Sequence, residues 1–164
     1  MEIRVARVTC PAEKGGTMNK ECVRESLRNL TAEELEHATH NYLQFLAGTR
    51  LVPTEPIELD EQAQAKFQAN LAEGLEQPVH SAEQKFKAIG AIDFSPKDRV
   101  EQGAVVCVDG RHFVIGVSTG RFTCEGVEMM GLSESAPFYG AIDGLTAGDV
   151  TEFRGREFEV RAVY

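Results

Sequence analysis

Two rhythms divide this chain. From residue 19 to 92 apolar residues return every three or four positions; from 98 to 164 they return every second position. In the first stretch Val23, Leu27, Thr31, Leu35, Ala38, Tyr42 and Phe45 fall on one stripe, as side chains do along one face of a helix. Thr31-Ala32-Glu33-Glu34 has the form of a capping box, which would restart the helix there, and Gly48 suits its C-terminal cap. A connector with Pro53 and Pro56 follows. The second stripe is Ala63, Phe67, Leu71, Leu75, Pro78, Ala82, Phe86 and Ile89. Pro78 has no amide hydrogen to give, so it is expected to kink or split this helix. Two helices with one apolar face each can close as an antiparallel hairpin or fold into a compact bundle. Some 30 residues of helix would reach about 45 Å.

The second rhythm predicts strands. Gly103–Val108 and Arg111–Val117 flank Asp109-Gly110, a strong two-residue hairpin turn. Asp149–Phe153 and Arg156–Tyr164 flank Arg154-Gly155 in the same way. In the last strand Phe158, Val160, Ala162 and Tyr164 would face one side, and Glu157, Glu159 and Arg161 the other. Val127–Leu132 adds a strand, and Pro137–Ile142 one short helix. The expected class is α+β: a helical hairpin at residues 18–93, then a small antiparallel sheet with a helix against one face at 98–164. Residues 1–17, which precede a second methionine at Met18, read as an unmatched extension.

Composition narrows the function. Among 164 residues 42% are hydrophobic, enough to bury a core. The net charge of −9 is spread along the chain without a Lys/Arg block, which disfavours autonomous binding to DNA or RNA through phosphate contacts. With no apolar run long enough to span a bilayer, the sequence reads as soluble and cytoplasmic. Cys10, Cys22, Cys107 and Cys124 form no C-x-x-C pair, and are expected to be reduced and structural.

Specific motifs then come into play. Val100-Glu101-Gln102-Gly103-Ala104-Val105-Val106, Phe113-Val114-Ile115-Gly116, Gly131-Leu132-Ser133-Glu134-Ser135-Ala136-Pro137, Ala141-Ile142-Asp143-Gly144, Gly148-Asp149 and the terminal Phe158–Tyr164 occur in that order. Together they resemble the C-terminal domain of the Gre transcript-cleavage factors. Two departures stand out. Ala136 replaces the serine before the proline, and Ser118-Thr119-Gly120-Arg121 stands where the family usually carries acids. In the helical half Ala91-Ile92-Asp93 resembles the family's end-of-helix motif. Counting back without gaps sets Glu58-Leu59-Asp60-Glu61-Gln62-Ala63 on its tip motif.

This resemblance implies an FKBP-like sheet domain and a bacterial regulator of transcription elongation that binds RNA polymerase through its secondary channel. It implies no enzyme of its own: Glu58 and Glu61 would act as tip carboxylates that help hold a second Mg²⁺ when docked, and the polymerase would cut the backtracked transcript. No cofactor would be bound by the chain alone, and nucleic acid would be met only through the polymerase. Ser133, Pro137, Gly148 and Asp149 would be polymerase-binding residues. Mg²⁺ takes oxygen ligands and keeps several waters, so one or two carboxylates suffice. Acids at the start of a helix also favour its macrodipole, which is the plainer reason for Glu58 and Glu61 to be acidic. The alternative is a Gre-like regulator that binds polymerase without promoting cleavage.

Other groupings carry less. His37 and His40 stand three apart but lack a third ligand. Gly116–Gly120 lacks the spacing of a phosphate loop. Ser133 and Ser135 have no His–Asp partners for nucleophilic catalysis. A prolyl-isomerase pocket needs an aromatic floor, whereas Phe113, Phe138 and Tyr139 read as core.

Overall fold

The computed structural model describes residues 18–49 and 59–164, and side chains there except those of 49, 59–62 and 64. Helix α1 runs Lys20–Thr49 and helix α2 Leu59–Ala91; six strands and one short helix follow. The strands are β1 Val105–Val108, β2 Arg111–Gly116, β3 Arg121–Cys124, β4 Val127–Ser133, β5 Val150–Phe153 and β6 Arg156–Val163, with α3 at Pro137–Ile142 between β4 and β5. The class is α+β, as the two rhythms predict.

The helices do not break where the sequence suggested. Thr31 is buried inside a continuous α1, and Pro78 lies within a continuous α2. At these lengths the other hydrogen bonds of each helix outweigh the one that Pro78 removes.

Two compact units divide the described residues: 18–28 with 88–164, and 29–87. The division runs through both helices. In the helical unit the segments run antiparallel, with Glu34 and Lys85 paired at 3.0 Å. Burial fades along the stripe. Thr31 and Ala82 are buried, whereas Phe67 and Leu71 on the α2 stripe are 66% and 43% exposed, as is Leu43, beside the α1 stripe, at 57%.

In the sheet unit the strand order is β3-β4-β2-β1-β6-β5. The sheet is mixed rather than antiparallel, because β2 pairs with β4 in parallel. The reason lies in β3, which the sequence reading missed. From β2 the chain crosses to the edge as β3, then returns as β4 between them. Its turn is Glu125-Gly126. Like Asp109-Gly110 and Arg154-Gly155, both turn residues have positive φ, which matches the twist of paired strands in a two-residue hairpin.

One face of the sheet joins Val106, Val108, Phe113, Ile115 and Val160 to Ile142 of α3. β1 is buried on every side chain, which explains its unbroken apolar run Val-Val-Cys-Val. The even alternation expected of the last strand fails. The β1–β6 register slips at Cys107/Val108, so Phe158, Val160 and Val163 join the main core while Ala162 and Tyr164 pack with Cys107 on the other side.

The cysteines also depart from expectation. Cys22 and Cys124 form a disulfide between α1 and β3, 102 residues apart in sequence, and Cys107 is disulfide-bonded as well.

Candidate functional site

The best-defined juncture is where α2 ends against the sheet. Gly103 has φ +84°, and a Cβ there would strike the carbonyl of Asp93 and crowd the Ile92 side chain. At Gly116 a Cβ would meet the Ile92 side chain at 2.5 Å. Only glycine lets the helix end come this close, and Gly103 also needs the left-handed backbone. Ile92 is buried there. Thus Ala91-Ile92-Asp93 of the helical half seats on Gly103 and Gly116 of the sheet half.

Charge secures the same place. Lys20, in the first turn of α1, donates to the carbonyls of Ser95 at 2.8 Å and Gly103 at 2.9 Å. Burial, aided by nearby Lys97, lowers its pKa to about 8. The Ser95 N–H and hydroxyl donate to Asp93 at 3.0 and 2.8 Å, and with Lys97 they hold its carboxyl down at about 2. Lys97 also pairs with Glu101 at 3.1 Å. With each acid satisfied by a nearby donor, this is a structural clamp rather than a poised catalytic group.

A second tie lies at the other edge. Asn19 accepts from the Cys22 N–H at 3.2 Å as the α1 cap, and its side-chain amide donates to Glu125 at 2.9 Å. The Cys22–Cys124 disulfide sits beside it.

The residues nominated from sequence fall on several elements. Glu58 lies outside the described residues. Glu61 stands in the first turn of α2, with its side chain not among those described. Ser133 ends β4, where its Oγ lies 2.8 Å from that of Ser135 and accepts the Ser135 N–H. Pro137 opens α3, where its missing N–H costs nothing. Gly148 has φ +97° and donates to Val160 at 2.7 Å. Asp149 accepts from the Thr146 N–H and hydroxyl at 2.7 and 2.9 Å, and these bonds keep its pKa low. It closes the turn into β5. β4 and β5 are separated by three strands, so Ser133 and Asp149 are not neighbours in the sheet.

A cleft of about 460 Å³ opens at the start of the parallel pair β2 and β4, lined by Arg111, His112, Arg121, Glu128, Met129 and Met130 among others. Arg121 and Glu128 pair at 3.3 Å. His112 is buried, its Nε2 has no partner among the described residues, and desolvation lowers its pKa. The imidazole is neutral at pH 7. Acid–base or covalent chemistry would need a carboxylate or nucleophile hydrogen-bonded to it, and none is so placed among the described residues. Phe138 packs 5.3–5.6 Å from Phe113, Phe153 and Phe158, as core aromatics do. Among the described residues no group of three His, Cys, Asp or Glu could hold a metal, and no helix is long and apolar enough to cross a membrane. The clamp itself was missed at the sequence level; the two glycines and the lysine at the α1 start were its only trace.

No protein-family model matches the chain, and no curated protein does. Among solved structures, that of the transcription factor Gfh1 matches with a TM-score of 0.34 and 16% identity, over 85% of this chain and 94% of that one. A crystal structure of GreA factor homolog 1 (Gfh1) from Thermus thermophilus matches with 0.31 and 16%, over 85% and 95%. At that level the likeness by itself decides neither family nor function.

Proposed function

We propose that this chain is a bacterial transcription elongation regulator of the Gre type, which binds RNA polymerase in the cytoplasm and acts through the polymerase active site. One observation carries the reading. The two halves of the sequence resemblance, Ala91-Ile92-Asp93 at the helix end and the glycines of the two sheet motifs, interlock at Gly103 and Gly116. Pieces that match a family separately by chance have no reason to fit one another in space.

The helix pair supplies the working part. Helices of 30 and 33 residues are each about 45–50 Å long. Glu58 and Glu61, near the start of α2, are hard oxygen donors suited to a Mg²⁺ shared with the polymerase, which would stabilise the attacking and leaving oxygens of transcript cleavage. The protein's own share is to carry two carboxylates to that ion and hold them there. Ser133, Pro137, Gly148 and Asp149 shape turns of the sheet unit that would meet the polymerase surface.

The test is transcript cleavage on stalled elongation complexes with the full chain added. Mg²⁺-dependent shortening of the transcript supports the cleavage factor. Retention on polymerase without shortening leaves the binding-only regulator, and failure to bind polymerase at all rejects both.

A further inference from the structure

We propose that the Cys22–Cys124 disulfide is a thiol-exchange site, through which a dithiol reductant controls how firmly the β3–β4 hairpin is held to the first turn of α1. The two Cα atoms stand 6.2 Å apart, within the usual span of a disulfide. Its placement differs from that of a core staple. β3 is a four-residue strand at the sheet edge, paired on one side only, by β4. Beyond the disulfide, the exposed Asn19–Glu125 hydrogen bond ties its turn to the α1 cap. By contrast α1 keeps its own anchors when the disulfide opens: Val23 and Leu27 stay buried, and Lys20 holds two carbonyls. Reduction therefore loosens the edge strand β3 and its turn, while β4 stays paired with β2 and the fold stands.

Access favours exchange. Cys124 is buried, but Cys22 is only partly so, at the solvent-facing start of a helix. An attacking thiolate reaches the Cys22 sulfur; the S–S bond breaks and Cys124 leaves as a thiolate that takes a proton from water. The second thiol of the reductant then attacks its own sulfur in the mixed disulfide and frees Cys22. Two electrons pass from the dithiol, which becomes a disulfide, to the protein, which gains two thiols. The helix N-terminus favours the Cys22 thiolate, and so the return reaction too. The regulatory meaning rests on the cytoplasmic reading above, since a disulfide in a reducing compartment is usually transient and redox-sensing.

The test is hydrogen exchange on the full chain, before and after dithiothreitol, with thiol trapping to score each cysteine. Reduction should speed exchange of amides 121–127 at least tenfold and leave those of β1 and β2 unchanged. The Cys22→Ser, Cys124→Ala double variant should show the fast pattern from the start. In that variant any reduction of the disulfide at Cys107 should add nothing at 121–127. Protection of 121–127 that survives complete reduction, a rise spread evenly over the core strands, or a Cys22–Cys124 bond that resists dithiothreitol in the native protein would each overturn the proposal. None of these readouts needs polymerase. Pull-down of oxidised and reduced protein then separates the two readings: binding in neither form rejects the polymerase partner and leaves the exchange site intact.

Discussion

The sheet unit and the helical unit bury their apolar residues to very different extents. In the sheet unit β1 has no exposed side chain, and Val106, Phe113, Ile115, Ile142 and Val160 close one core. In the helical unit Leu43, Phe67 and Leu71 lie in solvent. A sheet can cover both its faces, with helices on one side and chain on the other. Two helices alone cover little beyond their line of contact, so even Phe67 and Leu71, on the α2 stripe, stay exposed. An apolar pattern therefore reports stability in one unit and leaves surface to spare in the other.

Substitutions can break that contrast. The largest effect is expected on activity: Glu58→Gln with Glu61→Gln should abolish any Mg²⁺-dependent transcript cleavage while polymerase retention stays near wild type. Thermal unfolding run alongside should fall little, since first-turn acids contribute about 0.3–1 kcal/mol each. Next come changes to the sheet unit. Ile115→Ala should cost about 2–5 kcal/mol in urea unfolding, as large-to-small core changes do. Gly103→Ala should cost about 2–4 kcal/mol, because it strains the left-handed backbone and forces the Asp93 carbonyl away. In the helical unit Phe67→Ala should change stability by about 0.5 kcal/mol or less. A loss as large as that of Ile115→Ala would mean that the helical unit hides its apolar surface after all.

The smallest expected effect is a pH slope. Lys20 titrates near pH 8 in the folded protein against 10.5 for the free side chain. Between these values the unfolded chain binds more protons, so this group makes stability rise with pH. The cost of its buried charge is complete below pH 8 and gone above 10.5. Lys20→Met should remove that rise, read as the difference between wild-type and variant melting curves from pH 8 to 10. An unchanged difference across that range would argue that Lys20 is more solvated than its two carbonyl bonds indicate.

The sequence was legible wherever a local rule acted alone. Asp109-Gly110 and Arg154-Gly155 are turns because two consecutive left-handed residues suit few others, and both lie where expected. Glu125-Gly126 obeys the same rule but joins strands of four and seven residues, and Arg121–Cys124 is too short to show a period. With β3 unseen, the parallel β2–β4 pair could not be anticipated. The bulge in β6 is equally invisible, since the alternation continues through Arg161 while the backbone does not. The cysteines failed for a further reason: Cys22 and Cys124 are brought together only by the tertiary fold. Asp149 was legible as a motif residue, and its carboxylate is taken up by Thr146. The tip acids were nominated by counting alone, and no packing pattern marks them.

Pro78 has a mechanical consequence. Its nitrogen carries no hydrogen, so the carbonyl of Gly74, one turn earlier, lacks its helical donor. Among the described residues nothing lies within 4 Å of where a Gly74 side chain would be. The rod is therefore less stiff over this single turn. Under a transverse load α2 would bend more easily between Gly74 and Pro78 than in a turn with all its hydrogen bonds.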